Sequence, residues 1–503
     1  MITATIGKVF LEAYNKKYHT NYDAKTFFVE VYHPLFFGSR KYLQWVQNSP
    51  FVQGLESASS GEFGVKEILK DENGKTKTFK NKDEINSYLK SQYANYLDEI
   101  IEIKDSNLKQ VKVLLKITDR QITRMLDSFI EKINKKEIPD ASIAPGFPAS
   151  EEDCFATTSG QVTNMNIETT KDDIYLSWIG ASLGVGVNGG YLLFSQTDIL
   201  LDLFEGWGQY RKIVDGIDTL KGNQVNSWNG QWLIHRYDKR NFDPEQPMAG
   251  FHPFEKATDG MNIVTQSWTK LFIRIAQHID KGKLIGYVYG LDPKTRLPIT
   301  IGFIPINLES IRRPIDLYQK LFGMSNNEGN KAEDLWGTEY GLKESCKLGV
   351  IGVKSMQPQG LKQYMMPEKG GKVEMPKYDE KQIINFHTYQ IWLLAMLNNE
   401  ELWNKSIEFA QTLQTYVNND KQNSTKKSHM VEKILASTSK KNILLALSEI
   451  ASDVESFNKI EENAKIIHMM PTDNVPYYLT LIRFHYAGLS NKNNQQTLQF
   501  EFN

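Results

Sequence analysis

The chain has 503 residues, 40% hydrophobic and 24% charged, with a formal net charge of −1. That length exceeds what one hydrophobic core supports and implies two to four domains, while the charge balance excludes global attraction to nucleic acid and makes any nucleic-acid footprint local. The two cysteines, Cys154 and Cys346, have no metal-site spacing and build no disulfide framework, which suits a reducing cytoplasm and leaves open a single disulfide between them.

From the amino terminus, residues 3–17 and 24–37 carry helical periodicity, and the first of these is amphipathic where a signal peptide would have an apolar core. Asn73-Gly74 is a hairpin-type turn signal inside the polar stretch 67–87, and a further helix is expected over 83–101. Residues 107–134 carry the most informative pattern. Read as one helix, they place Leu108, Val111, Leu115, Ile122, Met125, Leu126, Phe129 and Ile133 on one face, with Lys109, Lys112, Lys116, Arg120 and Arg124 opposite. A ridge of one sign suits a phosphate backbone; the competing reading is an ordinary lysine-rich surface helix.

Residues 138–162 contain Pro139, Pro145, Gly146 and Pro148 but no Lys or Arg, and mark a loop or boundary. The texture of 163–378 is mixed. Gly184-Val185-Gly186-Val187-Asn188-Gly189 fits the dinucleotide pattern G-x-G-x-x-G, with 174–179 as a candidate strand and Glu205 at a suitable distance. Against this, Asn188-Gly189 is itself a strong hairpin turn between 183–187 and 190–194. A hairpin tip of this kind, lacking bulk at Gly189, can bring its backbone close to a nucleic-acid groove. Residues 200–238 interleave Trp207, Tyr210, Trp228, Trp232 and Tyr237 with Arg211 and Arg236, a composition that can stack bases, although tryptophans more often serve as core or interface anchors. Arg274 and His278 share a helix face, with no acid identifiable to complete a hydrolytic site. A second hairpin is expected at 284–290 and 297–305, a strand at 349–353, and exposed loops at 325–330 and 367–376.

Beyond residue 379 six amphipathic helices follow, at 379–398, 400–419, 428–437, 441–453, 456–470 and 475–488, with short breaks that imply an antiparallel bundle. Lys421, Lys426, Lys427, Lys433, Lys440 and Lys441 face only Asp420 and Glu432 nearby, forming either a second basic surface or a solubilising one. In the tail 490–503, Leu498, Phe500 and Phe502 alternate like an edge strand. The expected fold class is therefore α+β: a helix-rich part (1–137), a boundary (138–162), a mixed centre (163–378), a helical bundle (379–489) and a polar tail. No apolar run spans a bilayer, no histidine or cysteine cluster implies a metal, and no cofactor is expected.

The layout, together with the phrases LDLFEGWGQYRKIVDG (within 200–216), SWNGQWL (227–233) and HMMPTDNVPYYLTLIRFHY (468–486), resembles the large subunit of type I CRISPR surveillance complexes (Cascade) of the Bacteroidetes kind. Several branches of that family carry C-x-x-C zinc pairs, which this chain lacks. The resemblance implies a non-catalytic, cytoplasmic protein whose partners are guide RNA, target DNA, other subunits and a helicase-nuclease recruited in trans. Such a subunit recognises a motif beside the target and holds the opened strands, while guide pairing reads sequence. Charge pattern assigns this role to Lys109, Lys112, Lys116, Arg120, Arg124, Arg211, Arg236, Lys426, Lys427, Lys440 and Lys441, and the hairpin tip adds Asn188 and Gly189 as groove contacts. The rival functions are an enzyme with a nucleotide at Gly184–Gly189 and a protein-interaction scaffold in another defence assembly.

Overall fold

A computed structural model describes residues 2–39, 41–44, 51, 63–64, 83–84, 87, 100–104, 112–115, 119–135, 138–139, 148–149, 170–258, 260–291, 298–338, 340–367, 371–419, 423–451 and 457–492. The fold is α+β, with helices at the amino terminus, small antiparallel sheets and a carboxy-terminal helical bundle. Contacts divide the chain into two compact units, Met1–Gln266 with Ile285–Phe303, and Ser267–Leu284 with Ile304–Asn503.

The first unit opens with α1 (Ile2–Tyr18), α2 (Ala24–Phe27) and α3 (His33–Phe37). A π-helical turn, Phe28–Tyr32, joins α2 to α3. Strands β1 (Phe63–Gly64), β2 (Ile100–Lys104) and β3 (Lys112–Leu115) form a sheet in the order β1-β3-β2 and are followed by α4 (Asp119–Asn134). The single helix expected over 107–134 is thus corrected: Lys112 lies on a strand, opposite Gly64 and Lys104, and the helix starts at Asp119. Strand pairing of the aliphatic Val113, Leu114 and Leu115 overrides the helical spacing. Residues 100 and 101, expected to end a helix, likewise belong to β2. The Asn73-Gly74 turn lies outside the described residues. Within the expected boundary loop, β4 (Ile138–Pro139) pairs with β5 (Pro148–Ala149).

Helix α5 (Lys171–Ser182) begins at a capping box in which Thr170 Oγ1 accepts from the Asp173 amide and the Asp173 carboxylate accepts from the Thr170 amide. It packs on α1 closely enough that only glycine fits at the crossing. A Cβ on Gly180 would lie 1.8 Å from the Thr3 carbonyl oxygen, and one on Gly7 2.0 Å from that of Leu176. The Thr3 and Ser177 hydroxyls hydrogen-bond across the crossing at 2.7 Å. This packing makes the amino-terminal helices and residues 170–266 one unit, rather than separate N-terminal and central regions.

Strands β6 (Val185–Val187) and β7 (Gly190–Phe194) form the expected hairpin, followed by α6 (Thr197–Gly216), α7 (Val225–Arg236), β8 (Phe254–Ala257) and β9 (Gly260–Ile263). Trp178, Trp207, Tyr210, Trp228, Trp232 and Tyr237 are buried with Phe10, Phe28 and Tyr32, so the aromatic segment is core rather than a stacking surface. Each such side chain contributes roughly 1.5–3 kcal/mol on burial.

Strands β10 (Lys283–Leu291) and β11 (Pro298–Asn307) extend the sheet in the order β11-β10-β7-β6, as the expected second hairpin requires. The second unit holds α8 (Trp268–His278), α9 (Leu308–Phe322), α10 (Asn326–Leu335) and α11 (Leu342–Lys347). The loop expected at 325–330 is instead the start of α10, because Ser325 and Glu328 form a capping box. The strand expected at 349–353 reduces to one bridge between Ile351 and Ile306. The bundle follows as α12 (Ile383–Leu397), α13 (Glu401–Asn418), α14 (Ser424–Leu435), α15 (Lys440–Ile450), α16 (Phe457–Met469) and α17 (Val475–Lys492). Helix α17 packs on α12 and α13, while α13 packs on α14, α14 on α15 and α15 on α16. Arg483 of α17, 1% exposed, donates to the carbonyls of Leu435 and Ser437 at the end of α14, at 2.5 Å each, and to that of Tyr364 at 2.9 Å. Burial without a carboxylate lowers its pKa to about 10.

Candidate nucleic-acid interface

The glycine-rich segment tests the cofactor reading first. A helix, α5, precedes it where a dinucleotide fold has a strand, and β6 and β7 turn at Asn188-Gly189. Gly189 has φ 97°, in the region that favours glycine. The other glycines admit α7. A Cβ on Gly186 would lie 3.0 Å from the Asn226 carbonyl, and one on Gly230 2.3 Å from the Gly186 oxygen. Asn226 Nδ2 donates to the Gly184 carbonyl at 2.7 Å, and Asn229 Nδ2 donates to those of Ser182 and Gly184 at 2.7 and 2.9 Å. Helix α7 occupies the face a pyrophosphate would need. Glu205 lies inside α6 and binds Lys17 at 2.6 Å and Arg236 at 2.8 Å.

The tip itself is available. Asn188 and Gly189 are exposed, and the Asn188 amide is anchored to the Gln266 carbonyl at 2.9 Å. A rigid sheet therefore presents a short backbone turn with one amide side chain.

The two arginines expected to meet phosphate face inward instead. Arg211 Nε and Nη2 bind the Asp215 carboxylate at 2.9 and 2.6 Å, and Nη1 donates to the Lys41 carbonyl at 2.7 Å; its side chain is 11% exposed. Arg236 binds Asp202 at 2.7 Å as well as Glu205, while the Tyr237 hydroxyl donates to Asp202 at 2.8 Å. Burial foremost, and then the Asp202 charge, hold the Tyr237 phenol well above its ordinary pKa. Lys17 is held above its ordinary value by its hydrogen bond to Glu205. These ions fasten α1, α6 and α7 together, and both arginines leave the candidate interface.

Of the basic ridge, Lys109 and Lys116 lie outside the described residues, Lys112 is on β3, and Arg120 and Arg124 are on α4. They do not share one helix.

The bundle lysines separate by environment. Lys427 sits 4.7 Å from the Tyr416 ring centroid, Lys440 donates to the Met470 carbonyl at 3.0 Å, and Lys433 holds both Glu449 oxygens at 2.5 and 2.7 Å. Lys426 and Lys441 are exposed, and neither side chain has a hydrogen-bond or ion-pair partner among the described residues. They stand in the first turns of the packed helices α14 and α15. Nine residues separate Lys426 from the end of α14, roughly 14 Å at 1.5 Å per residue. Lys421 lies outside the described residues.

The acid missing beside Arg274 is Glu333 of α10, 2.9 Å away, with both side chains 2% exposed. A charge pair this enclosed locks α8 to α10. Cys346 is buried, which pushes its thiol up to about 11; Cys154 lies outside the described residues. Among the described residues, no group of three or more His, Cys, Asp or Glu side chains could hold a metal ion, and no helix is long and apolar enough to cross a membrane. No protein-family model matches the chain, and no curated protein or solved structure matches it significantly.

Proposed function

We propose that this chain is a non-catalytic, nucleic-acid-binding large subunit of an RNA-guided antiviral complex, acting beside guide RNA and target DNA in the cytoplasm. The observation that carries the reading is the placement of Lys426 and Lys441, exposed and without partners among the described residues, on two packed helices of the carboxy-terminal bundle. Two exposed ammonium groups on helices that pack on each other suit contact with one nucleic-acid strand. Point charges so placed hold a backbone without reading its sequence.

The exposed Asn188-Gly189 tip supplies the second contact. An asparagine amide both donates and accepts, so it can read a base edge where the neighbouring glycine lets the backbone approach. In this reading the bundle braces an opened strand, the tip contacts duplex, and cleavage belongs to a helicase-nuclease recruited in trans. Lys109, Lys112, Lys116, Arg120 and Arg124 remain contributors by charge but are no longer required to act as one ridge.

Affinity purification from the native host tests the proposal. A co-purifying small RNA of uniform length, with several fixed partner proteins, is expected. Recovery of the protein free of RNA and of stable partners would overturn it.

A further inference from the structure

A groove of about 810 Å³ opens in the second unit between α14 and α15, with the segment 372–375 and Tyr486 of α17 completing its walls. Its floor is apolar: Val373, Val431 and Leu435 are buried there, while Met375 and Leu445 stand open on its sides at 37% and 54% exposure. Tyr486 is half-buried and adds an aromatic ring. Arg483 holds the carbonyls of Leu435 and Ser437, both lining residues, so this part of the groove is shaped before a ligand arrives.

Three lysines surround the apolar surface. Lys372 lines the groove itself. Lys426 precedes the lining residues His429 and Lys433 by three and seven positions, and Lys441 precedes Leu445 by four. Helical periodicity therefore puts both on the groove's side of α14 and α15. All three are exposed, and none has a hydrogen-bond or ion-pair partner among the described residues. The lining carboxylates are already engaged, Glu449 by Lys433 at 2.5 Å and Glu432 beside His429 at 3.5 Å. With Lys433, four lysines stand around two lining carboxylates, so the groove favours an anion.

A matching occupant brings repeated negative charge to the rim and flat apolar surface to the floor. A duplex keeps its base faces stacked inside. An opened strand presents them: each base has a π-face that lies on aromatic and apolar side chains while the phosphates meet lysines. We infer that this groove seats unpaired bases of a single nucleic-acid strand whose backbone is held by Lys372, Lys426 and Lys441. The inference rests on the proposed function and narrows it, making the ligand of the bundle single-stranded and held by its base faces as well as by charge.

The test follows the anisotropy of two fluorescein-labelled twelve-residue strands mixed with the full chain, an oligothymidylate and a fully abasic strand of equal charge. The oligothymidylate is expected to bind about tenfold more tightly, a factor within reach of one stacked base. Met375→Ser together with Leu445→Ser should abolish this preference and leave the affinity for the abasic strand unchanged. Both side chains are open to solvent, and an unchanged melting temperature checks that the fold is kept. Lys426→Ala with Lys441→Ala should instead weaken both strands alike and flatten the salt slope by about 1.4, at about −0.7 per phosphate of a single strand. Equal binding of the two strands, or a preference that survives both serines, would overturn the inference. A fixed partner protein lost on the serine replacements would then assign the groove to that partner. Binding of neither strand would overturn the inference as well, whereas the proposed function falls only if the protein is also recovered from its host free of RNA.

Discussion

Replacing Gly180 by alanine sets two effects of opposite sign against each other. In a helix interior alanine is favoured over glycine by about 1 kcal/mol. At the α1–α5 crossing, however, the new methyl carbon would lie 1.8 Å from the Thr3 oxygen, 2.6 Å from its carbonyl carbon and 2.9 Å from the Gly7 nitrogen. Carbon contacts are optimal near 3.5–4.0 Å, and every obstacle is backbone, so the helices must part by roughly 1.5–2 Å. Overpacking of this kind costs about 1–3 kcal/mol and occasionally more. Separation also breaks the Thr3–Ser177 hydrogen bond, which contributes about 1 kcal/mol. The net expectation is destabilisation by roughly 1–3 kcal/mol. Gly208, interior to α6, is the control: a Cβ there meets nothing within 4 Å, so Gly208→Ala should stabilise by about 0.5–1 kcal/mol. Guanidinium titration followed by tryptophan fluorescence should move the two midpoints in opposite directions. Equal stabilisation by both substitutions would refute the close crossing.

The buried pair gives a second expectation: Glu333→Gln alone should destabilise by about 3–5 kcal/mol, whereas Arg274→Met with Glu333→Leu should be close to neutral, both read from denaturant midpoints. His33 gives a pH dependence. Burial, at 4% exposure, lowers its pKa to about 4, whereas the unfolded chain titrates near 6.5. The stability from keeping this imidazole neutral is complete above pH 6.5 and is lost as pH falls through 4, by up to about 3 kcal/mol; a His33→Phe variant with an unchanged acid limb would exclude this cause. Calorimetric titration with dinucleotides should show no saturable binding, and micromolar binding abolished by Gly186→Val would restore the cofactor reading.

The parts of the fold legible in the sequence are those whose signals are local. Asn188-Gly189 between two apolar runs specified the β6–β7 hairpin, and 3.6-residue periodicity with short breaks specified the six bundle helices. The segment 107–134 misled because helical spacing can be counted across a strand–helix junction. Thr118-Asp119-Arg120-Gln121 is itself a helix-start pattern and marks where the helix begins, as Ser325 and Glu328 do for α10. The candidate site was less legible, because a charge is available to a ligand only if the fold leaves it unpaired. Asp215, four residues after Arg211 on one helix face, was a readable partner. Asp202 lies 34 residues from Arg236, and Glu333 lies on a different helix from Arg274. Pairings at that range are set by tertiary packing.

The central claim is that Lys426 and Lys441 bind a nucleic-acid backbone, and salt dependence tests it most directly. Each phosphate contact on duplex DNA contributes about −0.9 to the slope of log affinity against log salt. Replacing both lysines by alanine in the assembled complex should therefore flatten the slope by about 1.8 and weaken binding at low salt. Exposed charges contribute little to folding, so the melting temperature should stay within error. An unchanged slope and affinity in the double variant would contradict the account and leave these helices as solvated surface.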